Sequence, residues 1–113
     1  MAGNDPQIHL AQMLENIERI RGWTDGLTLE GYLSNRMLRD AVERCLERIS
    51  EASRRLPETL KAAQSQIPWR KVADIGNVLR HEYDDVADTE VWRIVVDELH
   101  TLQVAVLAMM RTR

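Results

Sequence analysis

Ile67 to Trp92 reads IPWRKVADIGNVLRHEYDDVADTEVW. Two helices joined by a polar turn account for it. Pro68 suits a first helical turn, so one helix is expected from Trp69 to about Tyr83. Asp84 to Asp88 then form a polar turn, and Asp88 is a fair N-cap for a helix taking up Glu90 onward. With Asn77 at zero on a wheel of about 100° per residue, Arg80 falls near about 300°, His81 near about 40° and Asp84 near about 340°. An amide, a guanidinium, an imidazole and a carboxylate thus share one narrow face. Val72, Ile75 and Leu79 fall opposite and seat the helix in a core. Such a helix holds an arginine and a histidine up to solvent or to a partner.

The flanking chain repeats the helical pattern. Asp5-Pro6 is a helix start, with Asp as N-cap and Pro at the first helical position. Ile8, Ala11, Leu14 (or Met13), Ile17 and Ile20 follow at helical spacing, and Gly22 is expected to stop the helix. A second helix from about Thr28 to Arg55 buries Leu29, Leu33, Leu38, Ala41, Val42, Cys45, Leu46, Ile49 and Ala52. The charged residues from Arg36 to Glu51 lie largely on its other faces and read as a solvated surface. Leu56-Pro57 ends it, and 58–66 make a short helical turn or a surface loop. The last helix runs from Glu90 to about Met110 on Val91, Val95, Leu99, Leu102 and Val106. Val96, Ala105, Leu107 and Met109 widen that stripe, as in a bundle or against a second subunit. No strand-period alternation, repeat or interdomain linker interrupts the pattern. The expected fold is all-α, an antiparallel bundle of four main helices (up to five) forming one domain over 1–113.

Composition agrees with a helical core. Of 113 residues, 44% are hydrophobic, yet aromatics are three Trp, two Tyr and no Phe, so aliphatic side chains must fill the interior. The net charge of −3 argues against coating nucleic acid by bulk charge but leaves room for a local phosphate site. The single cysteine, Cys45, has no intrachain disulfide partner and suits a reducing interior. No apolar run approaches the roughly 20 residues that span a bilayer. MAGNDPQIHL lacks the basic and apolar regions of a signal peptide. A cytoplasmic protein with no membrane partner is expected.

Few residues are equipped for chemistry. His9, His81 and His100 share no ligand spacing with Cys45, so no metal site is expected. Cys45 falls in an apolar stripe, where a thiol is packing. His9 and His100 read as surface or boundary residues, and Trp69 and Trp92 as core or interface residues. Arg70 either contacts phosphate or is solvated. Arg80 and His81 stand out together. Imidazole exchanges a proton near neutrality and guanidinium is a fork of donors suited to phosphate, which is the minimum for cleaving a phosphodiester without metal. On the residues alone, a solvated helix end is the other reading.

IPWR, GNVLRHEYDDV, VW and DEL, with AVERCLERISEASRRLP upstream, resemble the HEPN-domain ribonuclease toxins of the HepT-like group. The likeness extends from roughly Leu38 to Leu99. It implies a helical bundle that dimerises, with two motif helices facing across an RNA cleft. It also implies an RNA substrate, no cofactor, and a nucleotidyltransferase (MNT-type) antitoxin as partner. The family motif is Arg, four residues, His, any residue, Tyr. His81 and Tyr83 match it, but the arginine's place is held by Gly76. Arg80 lies one turn further on and projects from a neighbouring point of the helix. The resemblance assigns catalysis to His81 and makes Tyr83 a candidate for adenylylation by the partner, while helix geometry offers Arg80 as the substitute for the missing arginine. On an unbroken helix Tyr83 falls near about 240°, nearer the apolar side, where a half-buried packing residue is the other reading. Asn77 supports the site by orienting His81. A variant that binds without cutting is the alternative that Gly76 leaves open.

Overall fold

The computed structural model describes residues 5–81 and 84–111, with backbone alone at 81 and 84–86. Among them no strand occurs. Eight helical segments follow one another: α1 Pro6–Thr24, α2 Leu29–Leu33, α3 Arg36–Arg54, α4 Glu58–Ala62, α5 Trp69–Ala73, α6 Ile75–His81, α7 Asp84–Asp97 and α8 Leu99–Met110. The all-α bundle expected from the pattern is present. α3 is its central rod, lying against α1, α2, α5 and α6, while α8 covers the other side of α1. The last turn of α1 meets the first turn of α8, where Arg21 lies 3.0 Å from His100 Nδ1, so these two helices run antiparallel. No helix among the described residues is long and apolar enough to cross a membrane.

Where the expected helices differ from the observed ones, local hydrogen bonding explains the difference. α1 starts as read, with Asp5 accepting from the Gln7 N–H at 2.9 Å. It does not stop at Gly22. Buried Thr24 holds the last turn by donating its hydroxyl to the Ile20 carbonyl at 2.8 Å, and the chain turns at Gly26, whose φ of 77° favours glycine. The register of α1 also differs: His9 is buried, whereas Ile8 is 41% exposed. The expected Thr28–Arg55 helix is two. Asn35 accepts from the Leu38 N–H at 3.0 Å and starts α3 afresh. The expected turn over Asp84–Asp88 is helical, since α7 begins at Asp84. Paired aspartates suit the positive pole of a helix start as well as they suit a turn. The Glu90–Met110 helix bends at Glu98, and Arg93 spans the bend, pairing with Glu90 and with Glu98 at 2.5 Å each.

The core comprises the stripes read from the sequence: Ile17 and Ile20 of α1, Val42, Leu46 and Ile49 of α3, and Val91, Leu99, Leu102 and Val106 of α7 and α8. Cys45 is buried among them, and burial pushes its thiol upward even though Arg48 and Arg19 pull it down. It is a packing residue. Tyr32, fully buried, stacks on Trp92 with ring centroids 5.2 Å apart and ties α2 to α7.

Beside that stack an ion pair, Arg39 Nε to Asp88 Oδ2 at 3.3 Å, joins α3 to α7. Glu43 faces the same place. Partial burial first, then Asp88, Asp40 and Glu47, hold its carboxyl above the usual range, with Arg39 opposing. The folded chain therefore grips this proton more tightly than the unfolded chain. The stabilisation is full below the unfolded carboxyl's range and lost as pH rises through the raised value. Glu43→Gln is expected to raise Tm by roughly 1–3 °C at neutral pH, with the gain shrinking toward about pH 4. Thermal melts across a pH series check this.

Candidate functional site

The site helix begins with an interruption. In an unbroken helix the Asn77 N–H would bond to the Ala73 carbonyl; instead it donates to Asp74 O at 3.0 Å. The Ala73 carbonyl is taken up by α3. Ser50 Oγ and Arg54 Nε each donate to it at 2.9 Å. This clamp fixes the end of α5, and with it the start of α6, against the central rod. Trp69 secures the other end of α5, its indole N–H donating to the carbonyls of Lys61 and Gln64 at 3.1 Å each. Expected as a core or interface residue, it is half-buried and packed against the core. Arg54→Ala is expected to cost about 1 kcal/mol, because Ser50 keeps the carbonyl satisfied; adding Ser50→Ala brings the loss to about 2–3 kcal/mol. Denaturant unfolding of the single and double variants checks both values.

α6 seats Ile75 in the core, with Val72 of α5 beside it and Leu79 packed at the edge. Its outer face carries a relay of polar groups. The Asn77 amide donates to the Asp74 carboxylate, and Asn77 Oδ1 accepts from Arg80 Nη2 at 2.6 Å. Helical side chains lean toward the N-terminus, so the Arg80 guanidinium comes to rest over the preceding turn. There it lies above Gly76: a Cβ built at Gly76 would stand 3.2 Å from Arg80 Nη1 and 3.8 Å from Nη2. The head of Arg80 thus occupies the space directly outside position 76. Asn77 engages Asp74 and Arg80; its expected role toward His81 concerns a side chain outside the described residues. The described part of α6 reaches the backbone of His81. Tyr83 lies outside the described residues.

Arg80 and Gly76 border a groove of about 830 Å³ between α1 and α3. His9, Gln12 and Asn16 of α1 line one wall, and buried Asn16 donates to the Gln12 carbonyl at 2.8 Å. The other wall belongs to α3 and its C-cap and includes Arg44, Arg48 and the capping Arg55. Arg44, Glu47, Arg48 and Glu51 of α3 are exposed, as expected of a solvated face; their convergence with α1 and α6 on one groove is what the periodicity of α3 alone does not give. The signal was the i, i+4 spacing of Arg44 and Arg48, but only docking against α1 and α6 makes it a wall. Arg70 is exposed on α5 and faces a separate cleft with Lys71 and Asp74. Among the described residues no group of three His, Cys, Asp or Glu side chains is placed to hold a metal ion.

Comparison with known proteins bears on this geometry. The family described as ribonuclease HepT-like matches residues 13–109. The chain belongs to the HepT-like ribonuclease family. A Thermococcus cleftensis protein named "Probable ribonuclease HepT" is 33% identical over 95 residues, covering 84% of this chain and 86% of the relative. A Methanocaldococcus jannaschii protein named "Gamma-glutamylcyclotransferase and putative RNase" is 31% identical over 106 residues, covering 94% of this chain. The chain spans 48% of that relative's length. No solved structure gave a significant match. The match of this HepT-like chain begins well before Leu38 and takes in α1 from Met13 onward, beyond the stretch whose motifs resemble the family.

Proposed function

We propose that this chain is a ribonuclease toxin that cuts RNA without metal, working as a homodimer in which each subunit presents Arg80 and His81 to a common cleft. The observation that carries the reading is the position of the Arg80 guanidinium over Gly76, the place of the family's arginine. His81 takes the proton from a ribose 2′-hydroxyl as its oxygen attacks the adjacent phosphorus. The bond from phosphorus to the 5′-oxygen breaks, and that oxygen takes a proton from solvent water as it leaves. The products are a 2′,3′-cyclic phosphate and a 5′-hydroxyl. Arg80 holds the charge that grows on the non-bridging oxygens, with Asn77 aligning its fork.

An MNT-type nucleotidyltransferase antitoxin neutralises the toxin, and Tyr83 is the residue it would adenylylate. Adenylylation would add negative charge three residues from Arg80 in sequence and would repel RNA. Arg70 is a secondary phosphate contact. The test is incubation of end-labelled RNA with the purified chain in excess chelator. Cleavage giving cyclic phosphate ends supports the reading; a strict metal requirement overturns it. Gly76 itself favours a second reading, a partner-binding subunit that no longer cuts RNA.

A further inference from the structure

We infer that the groove between α1 and α3 holds the RNA strand as it leaves the cleavage site, with Arg48 and Arg44 binding the phosphates beyond the one at Arg80. This rests on the ribonuclease reading above. Three observations carry it.

The first is continuity. Gly76 and Arg80 are part of the groove's own lining, so a strand with one phosphate on Arg80 presents its next phosphates to the same walls. Ile8 to Arg19 along α1 measures about 16 Å at about 1.5 Å per residue, enough for more than a single nucleotide.

The second is charge. Six arginines and three glutamates line the groove, in a chain whose net charge is −3. A positive lining on an acidic molecule attracts a polyanion to one place and repels it elsewhere.

The third is which arginines are engaged. Arg19 pairs with Glu15 at 2.6 Å, and Arg55 with Glu51 at 2.9 Å. Arg54 is fastened to the Ala73 carbonyl. Arg44 reaches Glu47 only at 3.5 Å. Arg48 and Arg80 pair with no carboxylate among the described residues. Arg48 is exposed beside Cys45, whose thiol its charge pulls down, so its fork is open to a phosphate. Among the described residues no Phe, Tyr or Trp lines the groove, and its one ring, the His9 imidazole, is buried, so the lining offers bases no exposed stacking surface. Binding along it reads phosphates and is indifferent to sequence.

The test is fluorescence anisotropy with a labelled single-stranded RNA, using the full chain carrying His81→Ala so that the probe stays intact. Adding Arg48→Ala is expected to weaken binding roughly tenfold, equally for RNAs of different sequence. The slope of log affinity against log salt should fall by about 0.7. Arg48→Lys should recover most of the slope, and Arg44→Ala should act in the same direction more weakly. In otherwise unaltered protein, Arg48→Ala should raise KM while leaving kcat in place. Parent protein that binds and cuts RNA, with Arg48 and Arg44 variants of equal affinity and slope, overturns the inference and leaves the ribonuclease reading standing. Weakened binding of the nucleotidyltransferase with RNA affinity intact also overturns it, and assigns the groove to protein docking. If the parent neither binds nor cuts RNA, the ribonuclease reading fails and takes the inference with it.

Discussion

Arg80→Ala is expected to lower RNA cleavage by about 10²–10³-fold, and His81→Ala by about 10²–10⁴-fold, with both variants folded. The two losses arise from different steps. In the transition state the non-bridging oxygens gain charge, and a preset donor fork stabilises that charge without reorganising. Arg80 is preset because Asn77 Oδ1 holds Nη2 at 2.6 Å, and Asp74 in turn holds Asn77. Arg80→Lys keeps the charge but not the fork, so it should recover only part of the rate. Asn77→Ala should lower kcat by a smaller factor, through misalignment. His81→Ala removes the group that moves protons and should flatten the acid limb of the pH–rate profile. The measurement is kcat/KM on a defined RNA, alongside circular dichroism melts. Full activity in folded Arg80→Ala would refute its assignment.

Helix starts and buried stripes were legible wherever they depend on nearby residues alone. Asp5-Pro6 needs only its own backbone, and Val91, Leu99, Leu102 and Val106 need only the helical period. The breaks were harder to read. Asn35 and Glu98 lie inside strongly periodic runs, and what divides those runs is a side-chain cap at one and a bend spanned by Arg93 at the other. The break at Asp74 is underwritten from outside, because α3 supplies the donors that the Ala73 carbonyl lacks. The proximity of Arg80 to position 76 was visible as one helical turn. Its fixation by Asn77 and the gathering of Arg44 and Arg48 beside it were not, since periodicity along one helix says nothing of which helix will face it. His9 shows the same limit: its neighbours in sequence suggest a boundary residue, and the packing of α1 buries it.

Gly76→Arg, which restores the arginine of the family motif, is expected to reduce cleavage several-fold. The space outside position 76 is already filled: even a Cβ there would approach Arg80 Nη1 to 3.2 Å. A second guanidinium must displace the first, and two like charges crowded over one turn oppose each other. Both heads would then be held less firmly, and Asn77 could align only one of them. Gly76→Ala separates the steric part from the charge. It should raise stability by about 0.5 kcal/mol through helix propensity while shifting Arg80 and lowering kcat modestly. The deciding variant is Gly76→Arg combined with Arg80→Ala. If Arg80 does from one turn away what the family arginine does from position 76, the double variant should regain at least roughly a tenth of the unaltered activity, well above Arg80→Ala alone. Cleavage measured across the four proteins forms a complete cycle, in which the second substitution harms the natural chain and rescues the Arg80→Ala chain. The opposite pattern, with the natural chain inert and cleavage appearing only once Gly76→Arg is made, would mark Arg80 as a bystander and the natural chain as a partner-binding subunit that has lost its nuclease.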